Sequence, residues 1–72
     1  MSDKPAKKFR IGFLTATVWK NETADNNAFY TVELTRRYKS EGEWHDGNGL
    51  GHADLLNAAS IFNRAEAWIA EQ

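Results

Sequence analysis

The sequence predicts an α+β fold, a curved antiparallel sheet of three to four strands followed by one C-terminal amphipathic helix. Three observations carry this expectation. Residues 11–19 place Leu14, Ala16 and Val18 on one side of an alternating segment, with Ile11, Phe13, Thr15, Thr17 and Trp19 on the other. Residues 29–37 alternate in the same way, with Tyr30, Val32 and Leu34 set against Phe29, Thr31, Glu33, Thr35 and Arg37. From about Ala53 to Glu71 the apolar residues change to three- and four-residue spacing. Period two denotes a strand and period 3.6 a helix.

Residues 1–8 contain the only proline, Pro5, with Lys4, Lys7 and Lys8 and no periodicity, which predicts a flexible basic arm ahead of a single domain at 9–72. A strand is expected from about Phe9 to Lys20, rich in β-branched and aromatic residues. The cluster Asn21–Asn27 has the Asn and Asp chemistry of a turn. A second strand is expected over Ala28–Lys39. Next come a turn at Ser40–Glu43 and a short strand at Trp44–Asp46, with Tyr38 and Trp44 forming a cross-strand cluster or, as the alternative, Trp44 serving as a stacking platform for a base. Three glycines within Gly47–Gly51 either bend the sheet or lead to a brief fourth strand near Leu50. They lack the context of a phosphate-binding loop.

The helix carries Leu55, Ala58, Ala59, Ile61, Phe62, Ala65, Trp68 and Ile69 over nearly half its circumference, with Asp54 placed to cap its start. That stripe is wider than one sheet face requires. Ile61 and Trp68, seven residues apart on one edge, are therefore the expected contacts of a homodimer.

Composition narrows the function classes. With no cysteine among 72 residues, disulfide staples and thiolate metal sites are excluded. A chain of this length buries only about 60% of its unfolded surface, which makes self-association a plausible source of stability. No apolar run reaches the roughly 18 residues of a membrane span, and no signal-peptide core is visible, so a cytoplasmic protein is expected. His45 and His52 lack zinc-site spacing, and Ser2, Ser40 and Ser60 lack a nucleophile elbow. The expectation is no catalytic residue, no metal and no cofactor.

Charge is segregated. Residues 4–39 hold eight Lys or Arg against Glu22, Asp25 and Glu33, a balance of +5. Residues 40–72 hold Arg64 against six carboxylates, a balance of −5, and Asp3 completes the net −1. A single helix covers one sheet face, and the other face is aromatic, hydroxyl-bearing and basic at its ends. Such a face suits single-stranded nucleic acid, with bases stacking on rings and cations following phosphates. The expected contacts are Lys7, Lys8, Arg10, Phe13, Thr15, Thr17, Trp19, Phe29, Arg37 and Lys39. The competing expectation is a homodimeric protein-interaction or regulatory module, for which the same face is an interface.

The segments Phe9–Trp19, Phe29–Lys39 and Gly42-Glu43-Trp44, with the helix from Asp54-Leu55-Leu56, resemble in pattern the ββββα units of the Pur-alpha and whirly families. They are also similar to single-stranded-DNA-binding transcriptional coactivators of that build. The resemblance covers most of residues 9–71 and implies dimerisation through the helices. It also implies single strands lying across the sheet, touching Phe13, Trp19, Phe29, Arg37 and Lys39. Residues 16–22 and 29–32 additionally resemble segments of small uncharacterised bacterial proteins, a likeness that implies no activity.

Overall fold

A computed structural model describes residues 4–72. Strands β1 (Lys7–Ile11), β2 (Leu14–Glu22), β3 (Ala28–Ser40) and β4 (Glu43–Gly47) form one open antiparallel sheet in the order β1-β2-β3-β4. A short 3-10 turn (His52–Asp54) leads into helix α1 (Leu55–Ala70), which completes ββββα.

The expected single strand over residues 9–20 is two strands. Gly12 and Phe13 form a two-residue hairpin loop, with Gly12 at φ 58° and Ile11 opposite Leu14. A glycine with positive φ at the first loop position is the signature of a II′ turn, whose twist suits the flanking strands. The reversal puts Ile11 opposite Leu14, so Ile11 belongs to the helix side and not to the open face. The fourth strand therefore lies at the front of the sheet. Leu50 stands in irregular chain, and the carbonyl of neighbouring Gly49 accepts a 2.8 Å hydrogen bond from Arg36 Nε.

The basic arm is also shorter than expected. Lys7 and Lys8 lie in β1, and the Ala6 N–H already donates to the Val18 carbonyl at 2.8 Å. Residues 1–3 of that arm fall outside the described residues.

The other two loops follow their local chemistry. Asn26 adopts φ 63° in the 23–27 connection, where the Thr23 N–H donates to the Asn27 carbonyl at 2.8 Å. Glu41 and Gly42 both have positive φ, at 51° and 82°, as a I′ hairpin requires. Between β2 and β3 the register runs unbroken from Leu14 opposite Arg36 to Glu22 opposite Ala28.

Helix α1 packs over β1 and β2. Leu14, Ala16, Ala58 and Ile61 form the buried cluster, flanked by Phe9, Ile11 and Leu34. Ala58 and Ala65 are buried small residues on the inward stripe, which lets the helix approach the sheet closely. Because the helix packs mainly on β1 and β2 and meets β3 only at its margin, the buried stripe is narrower than the apolar pattern. Leu55, Ala59 and Phe62 remain exposed. Ile61 is 0% exposed and lies within its own chain's core, which removes it from any dimer contact. Trp68 is half-buried, its ring edge-on to Tyr30 at 5.9 Å.

The start of the helix is tied to β3. Asp54 Oδ2 accepts the Gly51 N–H at 2.9 Å and lies 3.6 Å from Arg36 Nε. Arg36 thus joins the glycine-rich crossing to the sheet. No helix of the described residues is long and apolar enough to cross a membrane.

Candidate nucleic-acid interface

The face of the sheet opposite α1 is assembled by register. Opposed residues in an antiparallel pair share a face. Lys8 and Arg10 of β1 lie opposite Thr17 and Thr15 of β2. Thr15, Thr17 and Trp19 in turn lie opposite Thr35, Glu33 and Thr31 of β3. Arg37 and Lys39 lie opposite Asp46 and Trp44 of β4. These residues surround a concavity of about 740 Å³ lined by Lys8, Arg10, Phe13, Trp19, Arg37 and Trp44, among others. Its bed is a row of threonines, of which Thr17 is buried and Thr15 and Thr35 are half-buried.

One end of this groove is an aromatic and cationic cluster. The Phe13 and Trp44 rings lie 5.7 Å apart with their planes tilted by 40°. Arg37 Cζ stands 5.3 Å from the Trp44 ring centre, and Lys39 Nζ stands 6.0 Å from it. Phe13 reaches this position because the Arg37 N–H donates to its carbonyl at 2.9 Å, extending the β2–β3 ladder into the turn. Phe13 is 62% exposed and Trp44 48% exposed. Two large rings are therefore held in place and left open to solvent.

Of the ten residues expected to contact nucleic acid, seven line the groove together: Lys8, Arg10, Phe13, Thr15, Thr17, Trp19 and Arg37. Lys39 adjoins them through Trp44. Phe29 shares the face but sits farther along, opposite Asn21. Lys7 does not belong to the group. It lies opposite Val18 on the helix side, with Nζ 5.9 Å from the Phe9 ring centre. The turn at Gly12-Phe13 dictates this, because it fixes which residues of β1 share a face with Thr15 and Thr17.

Trp44, outside the ten and expected on the sheet only as the alternative to a cluster with Tyr38, lines the groove. The expected Tyr38–Trp44 cluster does not form, since adjacent register positions send the two rings to opposite faces. Tyr38 stacks on His45 at 5.4 Å instead, with Arg36 Cζ 5.4 Å from its ring. A signal for Trp44 was present: a two-residue Glu41-Gly42 loop pairs Ser40 with Glu43 and hence Lys39 with Trp44. Glu33 and Asp46 also line the groove, so its lining carries three cations and two carboxylates.

The class the geometry defines is an α+β domain with an open, ring-bearing sheet face. No family model matches the chain, and no curated protein or solved structure matches it either.

Proposed function

We propose that this protein binds single-stranded nucleic acid with little sequence preference, along the sheet face opposite α1. The observation that carries the reading is the half-exposed Phe13–Trp44 pair, with Arg37 and Lys39 beside the indole. Bases stack on these rings and on Trp19, while Lys8, Arg10, Arg37 and Lys39 neutralise phosphates. Stacking is sequence-tolerant because every base has a π face. The threonine bed offers hydroxyls to sugar or phosphate oxygens without reading base identity.

A binding role is proposed in preference to catalysis, because the large hydrophobic side chains most exposed along the groove are the rings of Phe13 and Trp44.

Fluorescence anisotropy of labelled single-stranded DNA and RNA oligonucleotides, at low and physiological salt, tests the proposal. Salt-sensitive binding is expected, with Trp44→Ala weakening it roughly 5- to 150-fold, the equivalent of one lost stacking contact. Circular dichroism of the variant should match that of the parent. Flat titrations for both polymers at low salt would overturn the reading.

A further inference from the structure

We propose that the bare stretch of β3, Ala28–Leu34, pairs antiparallel with the same stretch of a second copy of this chain, joining two sheets edge to edge. Strand β4 pairs only with Arg36–Ser40, so among the described residues the first part of the 13-residue β3 has no neighbour on that side. Two hydrogen bonds fix which backbone groups are left over. The Asn27 carbonyl accepts from Thr23, and the Arg37 N–H donates to Phe13, so both residues point toward β2. Successive residues of a strand point to alternate sides, and the register between β2 and β3 is unbroken. Ala28, Tyr30, Val32 and Leu34 therefore direct their N–H and C=O groups away from β2, toward the open edge.

Those four residues are symmetric about Thr31. A two-fold pairing centred there sets Ala28 against Leu34 of the second copy, and Tyr30 against its Val32. All eight outward groups of each copy find partners, in an interface that is self-complementary as two-fold symmetry demands. The side chains agree. Thr31 meets its own counterpart, a favourable cross-strand pair, and Glu33 meets Phe29 rather than another Glu33. Both helices fall on one face of the joined sheet, and both grooves on the other.

The remaining edges are guarded. Three of the five residues of β1 are Lys or Arg, and the five residues of β4 include Glu43 and Asp46. Cationic and short edge strands discourage pairing, whereas residues 28–35 carry one charge and no proline. Because α1 covers β1 and β2, it leaves this edge clear, and Trp68, packed on Tyr30, borders it. A foreign extended peptide is the competing occupant; a second copy is favoured because the centred register pairs Thr31 with its counterpart and keeps the two Glu33 carboxylates apart.

The chain has no cysteine, so single-cysteine variants report directly on the interface. Thr31 faces its counterpart as a non-hydrogen-bonded pair, where Cα atoms lie about 4.5 Å apart, within disulfide range. Sedimentation equilibrium of the full chain should give the mass of two chains. Under mild oxidation Thr31→Cys should cross-link at least roughly tenfold faster than Ser60→Cys on the exposed side of α1, because its partner is already held in place. Val32→Pro removes an outward N–H and should yield a folded monomer. A monomer at all concentrations, or equal cross-linking rates, would overturn the proposal. So would a Val32→Pro dimer of unchanged affinity, or a monomer that takes up an extended peptide at this edge. If Val32→Pro does not fold, the cysteine comparison decides.

Discussion

Trp44 and Glu33 show how single positions set the character of the groove. Trp44 supplies a ring that two cations approach from its own face of the sheet, at 5.3 and 6.0 Å. Glu33 lies opposite Thr17 midway along the groove and opposes any phosphate there. Glu33→Gln should therefore tighten binding of a single strand severalfold, on the order of 1 kcal/mol or less for a screened surface charge. Anisotropy at fixed low salt measures it, and weaker binding would place the polymer elsewhere. The aromatic–threonine face was legible because Phe13, Thr15, Thr17 and Trp19 alternate with Leu14, Ala16 and Val18. Trp44 was not assigned to it because one residue of register decides its face, and that register comes from the turn.

At the scale of elements, the helix and the first hairpin behave differently from their sequence patterns for one shared reason. Amphipathic periodicity reports which side of an element is apolar, not how much of that side finds a partner. Helix α1 presents a broad apolar stripe, yet a footprint mainly on β1 and β2 buries only Ala58, Ile61 and Ala65 fully. Ile61→Ala should cost about 2–5 kcal/mol by leaving a cavity against Leu14 and Ala16. Leu56, 85% exposed, should tolerate Ser within about 0.5 kcal/mol. Urea denaturation of both variants makes the comparison, and equal losses would mean that the helix is docked in another rotation. In the hairpin, Gly12 at φ 58° falls inside the single strand expected from about Phe9 to Lys20, whereas it reverses the chain. A two-residue turn inverts the phase of alternation, because Ile11 and Leu14 are paired and share a face, so reading residues 9–20 as one strand places Ile11 on the wrong side.

Over the whole molecule, charge segregation becomes a directional property. The basic half of the chain builds β1, β2 and β3, and the acidic half supplies β4 and the helix layer. Four cations on the open face, Lys8, Arg10, Arg37 and Lys39, bound the counterions a single strand displaces from one chain. The slope of log K against log salt should be no steeper than about −3 per chain. A steeper slope would mean that cations outside the groove take part. If two copies join along β3, the open faces become continuous, and the occluded length of polymer per binding event should double.

The sequence by itself determined the α+β class, the C-terminal helix, the core residues Leu14, Ala16 and Val18, and the existence of a second, ring-bearing face. These follow from local periodicity and composition, which act over a few residues. Only the tertiary structure decided that Ile11 and Lys7 face the helix, that Trp44 joins Phe13, and that Ile61 is buried within its own chain. It also decided that β3 outruns β4 and leaves backbone groups bare. Each of these depends on turn conformation and on the footprint of one element on another. Such relations link residues distant in sequence, and no single segment encodes them.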